Sequence, residues 1–157
     1  MCNLYSHRSN LDAITDLVGS LRNRAGNLAP QTGIYPDYPA PIVRTAADGH
    51  RELAMARWGM PSPAFAMQGK KTDKGVTNIR NTASPHWRRW LSPAHRCLVP
   101  FTSFSEPPAG ARGPDTWSWF ALAPDEPLAF FAGIWTTRIR RGRPLVDRLR
   151  RPCAAAP

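Results

Sequence analysis

Leu11, Ile14, Leu17, Val18 and Leu21 follow the i, i+3, i+4, i+7 spacing of an amphipathic helix, with Ser9 or Asn10 as its N-cap and Gly26 beyond its end. Residues 29 to 41 (APQTGIYPDYPAP) carry four prolines and read as an ordered surface loop, since proline fixes φ and removes ladder donors. Short strands are expected at Ile42 to Arg44 and Glu52 to Trp58. A second irregular stretch runs from Met60 to Gly75, with Pro61, Pro63 and Gly69 around the basic run Lys70, Lys71, Lys74. Thr77-Asn78-Ile79-Arg80-Asn81 follows as a compact polar motif. Ser84 to Ala94 (SPHWRRWLSPA) predicts one or two helical turns between prolines. Arg96 to Pro100 reads as a buried strand leading into Phe101 to Glu106, and two aromatic-rich strands are expected at Trp117 to Leu122 and Leu128 to Trp135.

The pattern therefore describes an α+β domain, compact and mostly β, with flanking helices. A length of 157 residues suits one domain with a real core. The apolar share of 42% excludes a disordered chain, and 17 Pro with 11 Gly call for short elements and many turns. Cys2, Cys97 and Cys153 are odd in number and form no CxxC pair, which argues against a disulfide scaffold. Neither a signal peptide nor 18 consecutive apolar residues occurs, so a soluble, cytoplasmic protein with no membrane partner is expected.

The net charge of +10 points to a polyanionic partner, but it is unevenly spread. Residues 138 to 157 hold seven Arg and one Asp, leaving only +4 on residues 1 to 137. That last stretch has no strand alternation and no aromatics. It reads either as a disordered nucleic-acid-binding tail or as the product of a slipped reading frame, because GC-rich coding sequence read out of frame yields Arg, Pro and Ala.

Several residues could carry chemistry. Cys2 follows the initiator methionine, so loss of Met1 would leave a thiol and a free α-amine on one residue. Such a pair condenses with aldehydes: the amine forms a Schiff base and the thiol closes a thiazolidine ring. The amine titrates near ~7.7 to 8.0 and the thiol near ~8.5, so a fraction of each is nucleophilic at neutral pH. Glu106 ends an apolar strand, where a carboxylate is costly unless paired or used, although an exposed residue before Pro107-Pro108 fits as well. Asn78 and Arg80 alternate around Ile79, which on a strand puts both on one side; Asn can orient a carbonyl or hydroxyl and Arg can fork onto phosphate. Arg88 and Arg89 between Trp87 and Trp90, with Trp58 and the lysine run, mix phosphate-tracking charge with aromatic faces for unpaired bases, or else form a core edge with snorkelling arginines. His7, His50, His86 and His95 show no metal-ligand spacing, so no metal is expected.

Met1-Cys2-Asn3, Arg57-Trp58-Gly59-Met60, Thr77 to Asn81, Arg96 to Pro100, Phe104-Ser105-Glu106 and Phe131 to Trp135 stand in the order and spacing of one family. The chain resembles the SOS response-associated peptidases (SRAP), abasic-site processing proteins, over residues 1 to about 137. The resemblance implies a compact, barrel-like, largely β fold with a basic groove, acting as a monomer without a cofactor on single-stranded DNA that contains abasic sites. It implies that Cys2 attacks the ring-opened aldehyde and leaves a thiazolidine cross-link that shields the lesion, in a protein associated with the nucleoid when bound. Glu106 would move protons, Asn78 would hold the reacting centre, Arg80 would grip a phosphate, and Trp58, Gly59 and Met60 would line the wedge where the strand kinks. Arg88 and Arg89, read from the Trp/Arg cluster rather than from the resemblance, are expected to add DNA contacts. The family's name implies peptidase activity, which the visible chemistry needs only to uncover Cys2.

Three departures from the family pattern stand out. Leu4 occupies the position of a DNA-contacting arginine, Asn81 replaces the glutamate of an NxRxE pattern, and none of the four histidines lies in the context of the family histidine that precedes Met-Pro. The 138–157 segment begins where further strands of the family should continue, so C-terminal strands are expected to be missing. Loss of such strands would cost about as much as a domain's whole margin of ~5 to 15 kcal/mol. An inactive truncated fragment, a non-covalent single-stranded DNA-binding module and an N-terminal-nucleophile amidotransferase are the alternatives.

Overall fold

The computed structural model describes residues 3–73, 75–108 and 117–137 in full, and the backbone of 151–155. Among the described residues ten strands form two sheets, accompanied by one α-helix. The four-stranded sheet has the order β3 (Gln31–Ile34), β1 (Leu4–His7), β7 (Ser103–Glu106), β8 (Ser118–Phe120). The six-stranded sheet has the order β10 (Arg151–Ala155), β9 (Ala129–Thr136), β6 (Arg96–Phe101), β4 (Pro39–Thr45), β5 (Arg51–Arg57), β2 (Arg22–Asn23). Neighbouring strands are antiparallel except β2 and β5, which run parallel.

The α+β, mostly β expectation holds, with two corrections. The sheets remain separate rather than closing into a barrel. Among the described residues one α-helix, α1 (Leu11–Val18), stands where several flanking helices were expected, and the remaining helical segments are short 3-10 turns at Ala64–Met67, Arg88–Trp90 and Pro93–His95. Of the stretch expected to be disordered, Arg151–Ala155 runs antiparallel to β9 as β10, while 138–150 and 156–157 lie outside the described residues.

The period-2 pattern explains the layers. Ala40, Ile42, Ala56, Trp58, Cys97, Val99 and Phe101 from the larger sheet meet Tyr5 and Ile34 from the smaller one in a single buried cluster. Val43 and Leu53, on the opposite face of β4 and β5, pack against Ile14 and Val18 of α1. Ile14 is fully buried, so truncating it to alanine would cost about 2 to 5 kcal/mol. Cys97 is disulfide-bonded, and Cys2 and Cys153 both have side chains outside the described set.

The helix begins as expected and ends early. Asn10 caps it, its side chain accepting from the Ala13 amide at 2.9 Å. Gly19, at φ 77°, stops it and donates to the Thr15 carbonyl at 2.8 Å, so Leu21 packs from the following loop rather than from the helix. The 29–41 loop is likewise more regular than expected, since β3 and the start of β4 occupy most of it. Pro39 and Pro41 are tolerated because β6 joins β4 only at Val43 and Arg44, leaving the first half of β4 as an edge.

One buried charge cluster had no signature in the pattern. Arg44 Nε donates to Glu52 Oε1 at 2.7 Å across β4 and β5, Arg24 Nε lies 2.9 Å from Glu52 Oε2, and the Arg44 guanidinium sits 4.0 Å over the Trp135 ring. Among the described residues no helix is long and apolar enough to cross a membrane, and no group of three His, Cys, Asp or Glu could hold a metal ion.

Candidate functional site

Part of the sequence-predicted set, Glu106, Asn78 and Trp58, meets where β1 begins. Antiparallel pairing sets Leu4 opposite Ser105, Tyr5 opposite Phe104 and Ser6 opposite Ser103. One step further along that register brings Asn3 opposite Glu106, the last residue of β7. Tyr5 lies in the core and Phe104 packs against it, so the alternation puts Asn3 and Glu106 on that same face of the sheet, at its open end. Glu106 is half-buried. Cys2, one residue beyond Asn3, lies outside the described residues together with Met1.

A second segment reaches the same place. Thr77 Oγ1 lies 3.4 Å from Asn3 Oδ1 and accepts the Asn78 side-chain amide at 3.2 Å. The Trp58 indole N–H donates to the Thr77 carbonyl at 3.0 Å. Met60 and Val76 exchange backbone hydrogen bonds of 2.9 and 2.7 Å, so the segment is tied to the stretch that follows β5 at Val76 as well as at the indole contact. Two glycines allow this approach. A Cβ on Gly75, whose φ is 79°, would lie 3.1 Å from Gly59 Cα, and Gly59 itself has a φ of 136°.

The loop between these segments is clamped by Asp73. Its carboxylate accepts from Ser62 Oγ at 2.7 Å, the Ser62 amide at 3.1 Å and the Gly75 amide at 2.8 Å. Beneath the loop, Met60, Ile79, Trp87, Trp90 and Ile134 form a separate buried cluster. Ile79 therefore points inward as the alternation predicts, with Asn78 half-buried and Arg80 exposed.

The aromatic residues fall differently from the stacking pattern read in the sequence. Trp87 and Trp90 are buried at 6% exposure each, and His86 packs edge-on to both. Arg88 and Arg89 are exposed, and the Arg89 guanidinium lies 3.9 Å over the Trp90 ring, which is the core-edge arrangement with snorkelling arginines. Trp58 is 4% exposed and Met60 fully buried, so their side chains support the site from below rather than presenting a face to solvent. Exposed aromatic surface lies instead at Tyr35, Tyr38, Phe65, Trp119 and Phe120, none of which the sequence pattern singled out for stacking.

The histidines are dispersed. His86 Nε2 is 2.9 Å from the Pro61 carbonyl, His95 Nδ1 is 3.0 Å from the Trp135 carbonyl, and His50 is exposed in the turn between β4 and β5. His7 is fully buried in β1, neither ring nitrogen has a hydrogen-bond partner, and burial lowers its pKa from 6.5 to about 4. It is neutral at physiological pH.

Chemically, the open end of β1 gathers a carboxylate (Glu106), a carboxamide (Asn78) and a hydroxyl (Thr77) around the residues that follow the chain start. A primary amine and thiol delivered there would have a proton carrier and a hydrogen-bond donor for a carbonyl at hand.

Residues 1–148 match the SOS response associated peptidase (SRAP) family, eleven residues past the boundary at 137 that the sequence suggested. None of the curated proteins matches the chain. Among solved structures, a phage-related protein from Bordetella bronchiseptica is similar over 99% of this chain and 68% of its own, at a TM-score of 0.64 and 21% identity. A second protein from the same organism is similar over 86% of this chain and 64% of its own, at a TM-score of 0.58 and 22% identity. The chain thus spans about two thirds of the length of either, and at these identities they establish the fold.

Proposed function

The chain belongs to the SOS response associated peptidase family, which assigns it a DNA-related role in the SOS response, and from that premise we propose that it captures abasic sites in single-stranded DNA through Cys2. Removal of Met1, the step that would justify the family's peptidase name, frees the Cys2 α-amine. The amine adds to the C1′ aldehyde of the ring-opened sugar and water leaves, giving an imine. The thiol then adds across the carbon–nitrogen double bond, its proton passing to nitrogen, and a thiazolidine closes with no oxidant or cofactor consumed.

Glu106 serves as the proton carrier for water loss and ring closure, and Asn78, held by Thr77, orients the sugar hydroxyl or the carbonyl oxygen. Arg80, Arg88 and Arg89 supply phosphate contacts from exposed positions. Gly59 and the backbone around it, supported by Trp58 and Met60, form the wall against which the strand turns.

The observation that carries this reading is the β1–β7 register, which sets Glu106 across from Asn3 while Thr77 bridges Asn3 and Asn78. Incubation with a single-stranded oligonucleotide carrying one abasic site is expected to give an adduct that survives denaturing electrophoresis, and Cys2→Ala is expected to abolish it. Binding without any denaturation-resistant adduct would instead identify a non-covalent DNA-binding module.

A further inference from the structure

Tyr35 and Tyr38 are exposed at 45% and 52%, and their rings meet edge to face with centroids 5.5 Å apart. The turn between them is built to hold them there. Pro36 occupies its second position, Asp37 its third with φ 71°, and the Tyr38 amide donates to the Tyr35 carbonyl at 3.0 Å, which is the pattern of a type II turn. Asp37 in the left-handed region is tied down by Arg57, whose Nε donates to the Asp37 carbonyl at 3.0 Å and whose terminal nitrogen pairs with its carboxylate. The Asp37 amide donates to the Trp58 carbonyl at 2.8 Å, and the Trp58 amide to the Tyr38 carbonyl at 3.0 Å.

The position of this turn gives it a meaning. β1 pairs with β3 through Tyr5 and Ile34, so the chain leaves β3 at Tyr35 one step from Leu4, beside the start of β1, with the Tyr35 ring on the Gly33 and Leu4 side of the sheet, around its end from the face of Asn3 and Glu106. Glu106 flanks that start from β7 on the other side. Adjacent strands are ~4.8 Å apart, so the tyrosine turn lies within reach of a nucleotide next to the one at the end of β1.

We propose that Tyr35 and Tyr38 form a stacking platform for the unpaired base that neighbours the nucleotide bound at the end of β1. This rests on the reading of that end as a single-stranded DNA site and names what holds the strand on its β3 side. An aromatic face accepts any base, so the platform confers affinity for single strands without sequence preference. The turn is already held by these hydrogen bonds in the free protein, which lowers the ordering needed on binding.

The test uses Cys2→Ala protein, which separates binding from chemistry. Fluorescence anisotropy follows single-stranded oligonucleotides bearing one central tetrahydrofuran abasic mimic, with the neighbouring base either present or also removed on one side at a time. Tyr35→Ala with Tyr38→Ala is expected to weaken binding about fivefold or more when the neighbouring bases are present. Removing the base on the platform's side should weaken the parent protein by the same factor and the alanine pair no further. Tyr35→Phe with Tyr38→Phe should retain parental affinity, because the rings remain.

Equal loss by the alanine pair on every oligonucleotide, equal damage from the phenylalanine pair, or no loss at all would overturn the platform. The adduct assay with Cys2 intact is scored separately. An adduct with no platform effect leaves the capture reading standing, and a platform effect with no adduct leaves a single-strand binder.

Discussion

The indole N–H of Trp58 donates to the backbone carbonyl of Thr77 across 3.0 Å, and this contact ties the core to the candidate site. Trp58 is buried with its ring edge-on to Tyr5 at 5.2 Å, while Thr77 touches both Asn3 and Asn78. Trp58→Phe keeps most of the packing and removes the donor, leaving the Thr77 carbonyl unsatisfied at a cost of about 1 to 3 kcal/mol. We expect a lower denaturant midpoint together with slower adduct formation. An unchanged adduct rate at reduced stability would show that the indole does not position Asn78.

Glu106→Gln preserves shape at the end of β7 and removes the carboxylate. If Glu106 carries protons during imine formation and ring closure, the rate constant for adduct formation should fall about 10² to 10⁴-fold. Affinity for single-stranded DNA with a non-reactive abasic mimic should stay within a factor of a few. A matching loss of affinity would make Glu106 a binding or structural residue instead.

Local patterns made part of this site legible. The alternation of Asn78, Ile79 and Arg80 foretold a buried Ile79, and the Asn10 cap was readable from residue type and spacing. What could not be read were long-range relations. The pairing that brings Asn3 opposite Glu106 joins residues about a hundred positions apart, and no local period encodes it. Leu21 continued the helical spacing although Gly19 had already ended α1, because apolar periodicity does not register a single left-handed residue. The prolines of 29–41 suggested a loop where β4 merely has an unpaired flank, and Trp87 and Trp90 lie in a core that only the folded loop creates.

Buried polar groups were the least legible of all. Arg44 and Glu52 read as ordinary strand residues, yet both are nearly inaccessible and face each other across β4 and β5. Breaking the pair leaves Glu52 with the exposed Arg24, or leaves the Arg44 guanidinium without the Glu52 carboxylate, so Arg44→Met or Glu52→Leu alone should destabilise the fold by about 3 to 5 kcal/mol. The double substitution Arg44→Met with Glu52→Leu should recover most of the loss. Chemical denaturation of the three variants checks this, and an additive double variant would exclude strong coupling between the two.

Arg80, Arg88 and Arg89 are the exposed cations proposed to meet phosphates. Each one that does so should lower the slope of log K against log salt by about 0.7 when changed to Ala, with affinity lost evenly across sequences. Salt titrations of the single variants distinguish the contacts individually. A variant with an unaltered slope places that arginine outside the DNA path.

His7 sets an acid limit on the fold that differs from ordinary carboxylate titration. Its ring is fully buried without a hydrogen-bond partner, and desolvation lowers its pKa from 6.5 to about 4. The unfolded chain therefore binds a proton that the folded chain refuses between these values. The contribution of the neutral ring is fully present above pH 6.5 and is lost progressively as pH falls toward 4, reaching on the order of 2 to 3 kcal/mol. Carboxylates titrate in part of this range, so the measurement is a difference. Urea unfolding of the parent and of His7→Leu from pH 7.5 to 4.5 should show a steeper loss for the parent, with the gap opening below pH 6.5. Parallel pH profiles would mean that His7 accepts its proton without unfolding the strand that carries it toward the site.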